Sequence, residues 1–132
     1  MNDFNVLCQQ FSSILGGEMN IKHGVCSVQK DRSHINVRIM GRPTRSGLVL
    51  HSMWSFEGID QQGKSLNLGE TALLQEEVYP FIWHLQRNGI VLTALHNHWL
   101  FDNPHILYAH YTSIEEPLSF ASKVAKAYKL LK

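Results

Sequence analysis

In the segment His34-Ile35-Asn36-Val37-Arg38-Ile39-Met40 every second residue is apolar. Ile35, Val37 and Ile39 then point to one side of an extended chain, and Asn36 and Arg38 to the other. Two further stretches of short period flank it. Ile21 to Cys26 precede it across the turn Lys30-Asp31-Arg32-Ser33, and Leu48 to Phe56 follow the loop Gly41 to Gly47. In the last stretch Leu50, Trp54 and Phe56 share one face, and Val49, His51 and Met53 the other. Connections this short cannot hold the crossover of about a dozen residues that a parallel pair requires. The three strands are therefore expected to pair antiparallel, which excludes a Rossmann-type sheet.

Three helical patterns surround these strands. Asn2 or Asp3 can cap the first, in which Phe4, Leu7, Cys8, Phe11, Ile14 and Leu15 share a face until Gly16-Gly17 ends it. The longest runs from Glu70 to Arg87, with Leu74, Val78, Phe81, Ile82 and Leu85 on one stripe; Pro80 predicts a kink or a break within it. A third covers Glu116 to Leu131. Between the last two lie a strand from Ile90 to Leu100, a turn at Phe101-Asp102-Asn103-Pro104, and a returning strand from His105 to Thr112. The order α-βββ-α-ββ-α predicts an α+β fold, an antiparallel sheet of about five strands packed with helices. Residues 1–132 have the length of a single domain.

Composition narrows the function classes. Twelve Lys+Arg against eleven Asp+Glu leave a net charge of +1, so no broad basic face for nucleic acid is expected. No run approaches the roughly 18 apolar residues needed to span a bilayer, and neither a membrane partner nor a secretory signal is expected. These features point to the cytoplasm, where Cys8 and Cys26 would stay reduced and pack as small core hydrophobes.

Four of the eight histidines fall between Leu95 and Tyr111. Within Leu95-His96-Asn97-His98-Trp99, residues i and i+2 of a strand share a face about 6–7 Å apart, so His96 and His98 can converge on one ion. A three-residue loop from Asp102 to Pro104 would set His96 opposite His110; a slip by one residue would present His105 instead. Three imidazoles suit a divalent ion such as zinc, with a fourth position for water or a carboxylate. On a helix, Glu70 and Glu77 would lie at the edge of the apolar stripe and reach the sheet. There Glu70 is the candidate fourth ligand and Glu77 the candidate general base. His23, His34, His51 and His84 stand alone in the sequence, His84 being one heptad after Glu77. Arg38, Arg42 and Arg45 gather at one loop, a weak site for phosphate or carboxylate. Trp99 and Phe101 flank the turn as aromatic candidates for a partner surface.

Named metalloenzyme patterns do not fit. A JAMM-type protease needs Ser and Asp where Ile106 and Ala109 stand, a cupin needs a Glu absent from Trp99 to Asp102, and H-E-x-x-H does not occur. The run Gly69-Glu70-Thr71-Ala72-Leu73-Leu74-Gln75-Glu76-Glu77-Val78-Tyr79-Pro80, then Asn88-Gly89-Ile90 and Thr93-Ala94-Leu95-His96-Asn97-His98, resembles the LppY/LpqO family, a domain of unknown function. Ala109-His110 occupies the place of that family's Met-His. The resemblance implies that Glu70, Glu77, His96, Asn97, His98 and His110 are the shared polar positions, without implying a reaction. Tyr111 to Glu116 depart from the glycine-rich turn expected after the second-strand histidine.

Two readings follow. In the first, the domain binds a divalent metal or a small polar ligand at His96, His98, His110 and Glu70. Its chemistry would be metal-assisted hydrolysis or isomerase-type proton transfer, with Glu77 as base. In the second it is a non-catalytic binding or interaction domain whose histidines and glutamates form a structural hydrogen-bond network. The oligomeric state is left open.

Overall fold

The computed structural model describes residues 3–132, so the Asn2 alternative for the first cap lies outside the described residues. Helix α1 (Asp3–Leu15) buries Cys8, Phe11 and Leu15 and ends at Gly16, whose φ of 77° few other residues adopt readily. Strands β1 (Glu18–Lys22) and β2 (Val25–Asp31) then form a hairpin across His23-Gly24, both at positive φ. That two-residue turn divides the strand expected over Ile21 to Cys26, because left-handed φ at both positions reverses a twisted ribbon tightly. The cleanest alternation yields only the short β3 (Val37–Ile39), paired with β4 (Arg42–Thr44) inside the expected loop. Ser46 caps α2 (Gly47–Leu50) by accepting from the Leu48 N–H, so β5 (His51–Glu57) begins three residues later than the pattern suggests.

The largest correction concerns Glu70 to Arg87. Glu70 to Leu74 are the end of strand β6 (Ser65–Leu74), Gln75–Glu77 form one turn of 3₁₀ helix, and helix α3 spans Val78–Arg87. Pro80 sits in the first turn of α3, where its missing N–H has no helical acceptor to lose, so it kinks nothing. Strands β7 (Val91–Asn97), β8 (Asp102–Asn103) and β9 (Ile106–Glu115) and helix α4 (Pro117–Tyr128) complete the chain. The expected tight hairpin is replaced by a longer excursion, because β8 leaves β9 to pair with β3.

The result is an α+β architecture with two antiparallel sheets, a six-stranded one in the order β1-β2-β5-β6-β9-β7 and a three-stranded one in the order β4-β3-β8. One face of the large sheet carries Cys26, Val28, Trp54, Phe56, Leu73, Ala109 and Tyr111 against α1, α3 and α4. On the other face, Ala72, Leu74, Ile106 and Tyr108 pack beneath Val37 of the small sheet and Val49 and Leu50 of α2. Beyond that cover the same face is open, with Met53, Leu66 and Leu68 exposed.

Cys8 and Cys26 correct a second expectation. They are core residues, but they are joined in a disulfide that ties α1 to β2 with the Cα atoms 5.7 Å apart, and neither is a free thiol.

Gly69 faces Tyr111 across the β6–β9 pair, and a Cβ there would stand 2.2 Å from the ring. That ring cannot retreat, since its hydroxyl accepts from the Trp54 indole N–H at 2.8 Å and shares a hydrogen bond with Thr71 at 2.8 Å. Gly69→Ala is expected to destabilise the fold by about 1–3 kcal/mol through overpacking, read as a lowered urea midpoint.

Candidate metal centre

The open face of the large sheet gathers one polar cluster from four neighbouring strands. Glu70 of β6 pairs directly with His110 of β9. On the far side of β9, Ala94 pairs with His110 and His96 with Tyr108, placing both histidines on one face. This depends on an irregularity of β7. Leu92 pairs with Tyr111 and faces the helices, and the register then shifts between Leu92 and Ala94. A bulge inserts one residue and reverses the alternation beyond it. Without it His96 would point towards the helices. His98 lies just past the end of β7 and folds its ring onto the same group.

Ring centroids are 4.5 Å apart for His96 and His98 and 4.9 Å apart for His96 and His110, and both pairs are stacked. One ligand nitrogen from each of the three residues lies within 4.8 Å of the others. His96 and His98 are exposed and His110 is part-buried, so the group opens to solvent on one side. Tyr108 forms its floor, with its ring 4.3 Å from that of His98. The Tyr108 hydroxyl donates to the Val49 carbonyl at 2.7 Å and accepts from the Trp99 indole N–H at 2.9 Å. Burial pushes its pKa up to about 12, so it stands beside the rings as a neutral phenol.

His110 has two different sides. Its Nδ1 lies 3.4 Å from Glu70 Oε1, whereas its Nε2 is buried and has no hydrogen-bond partner among the described residues. Burial lowers its pKa; Glu70 opposes that shift, and the positive character of His96, His98 and His51 adds to it. A neutral ring that carries its proton on Nδ1, on the side of the carboxylate, leaves a lone pair on Nε2, the tautomer a metal requires. The second oxygen of Glu70 hydrogen-bonds His51 Nε2. His51 was hidden among the isolated histidines. Its alternation with Leu50, Trp54 and Phe56 gives the correct face, but the sequence carries no sign that β5 lies beside β6.

The remaining candidates lie elsewhere. Glu77 does not join the histidines: its carboxylate accepts from Arg32 at 2.7 and 2.9 Å, from the Leu74 N–H at 2.9 Å and from the Lys132 N–H at 2.9 Å. Both Glu77 and Arg32 are buried. Burial by itself would raise the Glu77 pKa, but the bonds from Arg32 and from those two backbone amides outweigh it and hold the group below its ordinary value. A carboxylate so occupied has no lone pair free for a substrate proton. Arg32, its partner, left no sequence signal beyond a charge in a turn. His105 is exposed and bonds Asp102 at 2.9 Å, so the one-residue slip does not occur. His84 belongs to α3, on the helical side of the sheet.

No curated protein and no solved structure matches the chain. A family profile does, over residues 9–130, which takes in both sheets and every residue of the histidine cluster. On that match the chain belongs to the family described as Domain of Unknown Function (DUF1259).

Proposed function

We propose that this protein binds one divalent ion, zinc, through His96, His98 and His110, with Glu70 behind His110 as the group that fixes its tautomer. The observation that carries the reading is the cluster itself: one ring nitrogen each of His96, His98 and His110 lies within 4.8 Å of the others, and His110 keeps a buried Nε2 with no hydrogen-bond partner among the described residues. A buried polar atom without a partner is uncommon and calls for a ligand. Three imidazoles with solvent on the remaining side match the donor set of a zinc ion that keeps an open position. Such an ion supplies Lewis acidity and a water acidic enough to react near neutral pH, which favours metal-assisted hydrolysis of a small polar substrate. The acid–base role expected of Glu77 passes to the Glu70–His51 pair, the carboxylate and imidazole beside the rings.

The alternative, a purely structural polar network, draws on the hydrogen bond between His51 and Glu70 and on the 3.4 Å approach of His110 to the same carboxylate. It leaves His96 and His98 unexplained, since neither has a carboxylate partner among the described residues. The finer likeness to LppY/LpqO proteins, carried by residues 69–110, belongs to this proposal as well. So does the compartment: the Cys8–Cys26 bridge supports an oxidising environment in place of the cytoplasm expected from composition.

Calorimetric titration of zinc into metal-free protein tests the reading. Glu70→Gln is expected to weaken zinc binding about 10–100-fold with the fold retained, as is usual when the partner of a metal-bound histidine is lost. Wild-type affinity in that variant would remove Glu70 from the site.

A further inference from the structure

The small sheet ends in an apolar point set among arginines. Met40 and Phe101 are 78% and 72% exposed, sit at φ of 53° and 62°, and are joined by a hydrogen bond from the Met40 N–H to the Phe101 carbonyl at 3.1 Å. Leu100 beside them is 75% exposed. Bulky side chains are rarely held in the left-handed region, and a protein that keeps two of them there in water pays strain for presenting them. Arg38 brings its guanidinium to the same tip, donating to the Gly41 carbonyl at 2.9 Å, and Arg42 follows at the start of β4. A cavity of about 610 Å³ on this sheet is lined by Arg38, Arg45, Asn36, Asn103 and Thr44 among others, with no acidic residue. Residues 32–56 contain no Asp or Glu, and the one acid of residues 88–114, Asp102, is buried against His105 and the Ile106 N–H.

We propose that this tip docks on the surface of an anionic phospholipid bilayer, with Met40, Leu100 and Phe101 entering the acyl boundary and the arginines holding headgroup phosphates. Exposed apolar side chains beside Arg38 and Arg42 match the graded polarity of that interface, where arginine stems lie along apolar surface and their heads stay in the phosphate layer. A second copy of this chain is a poor occupant, since two such tips would bring like charges together. The site proposed is independent of the metal, and it departs from the expectation, drawn from composition, that the chain has no membrane partner.

Co-sedimentation of the full chain with vesicles tests it, in chelator so that the histidines play no part. Binding is expected to vesicles containing phosphatidylglycerol, to fall steeply as salt rises, and to be absent with phosphatidylcholine alone. Met40→Asn with Phe101→Asn should weaken binding by at least about tenfold by removing the apolar contacts. The thermal midpoint should not fall, because asparagine accepts positive φ more easily. Arg42→Gln should weaken binding about fivefold. Three results would overturn the proposal: no binding to the anionic vesicles, equal binding to both vesicle types, or wild-type binding by the Asn double variant. Competition by inorganic phosphate together with that last result would assign the arginines to a soluble phosphate compound instead.

Discussion

Glu77→Gln is expected to lower the stability of the fold by about 3–5 kcal/mol, the usual consequence of leaving one partner of a buried ion pair without its counter-charge. It should leave zinc stoichiometry unchanged in the folded protein. Arg32 reaches across the chain to Glu77 with two parallel bonds and also donates to the Ala72 and Lys132 carbonyls. The pair thus ties β6 and the start of α3 to Lys132 and to the turn after β2. Arg32→Met should cost a similar amount, and the double variant Arg32→Met with Glu77→Leu less than the sum, since neither charge is then stranded. The pH dependence follows from the direction of the Glu77 shift. A carboxylate held below its ordinary value of 4.5 contributes stability that is present above that pH and lost as pH falls through the folded-state value. The difference between wild type and Glu77→Gln should therefore shrink on acidification below about pH 4.5 and stay constant above it. Chemical denaturation at a series of pH values reads both effects. If Glu77 were the catalytic base, its removal would abolish turnover and leave the urea midpoint nearly unmoved.

Removing the disulfide is the second large effect. Cys8 and Cys26 are separated by 18 residues, and closing a loop of that length restricts the unfolded chain by about 3 kcal/mol in the entropic account. Cys8→Ala with Cys26→Ala should lower stability by about that much plus the packing lost in the core between α1 and β2. The variant should denature at the same midpoint with and without reductant, whereas wild type should lose stability only once reductant has opened the bridge. Equal midpoints for wild type and variant would mean that the bridge contributes nothing to the fold.

Much of the architecture was legible because period and turn length are local properties. The short connections imposed antiparallel pairing, and α1 and α4 follow their apolar spacing to within a few residues. The failure at Glu70 to Leu74 has a physical cause. Thr71, Ala72, Leu73 and Leu74 are all buried, because helices cover one face of β6 there and the small sheet covers the other. A strand buried on both faces loses its alternation and reads like a helix. Glu70 nevertheless reaches the histidines, as a neighbour of His110 across the sheet. The co-facial arrangement of His96 and His110 was also expected, although the bulge in β7 produces it rather than a three-residue hairpin. Arg32 and His51 were beyond reach. Their roles depend on which strands become neighbours, and no short-range pattern encodes that.

The proposed function requires His96, His98 and His110 to hold one metal ion. Elemental analysis of untagged protein, incubated with one equivalent of zinc and freed of excess by gel filtration, tests it most directly. Close to one zinc per chain is predicted, with none in His98→Ala or His110→Ala variants that keep the wild-type circular dichroism. Metal-free wild type, or an equal zinc content in the His110→Ala variant, would contradict it.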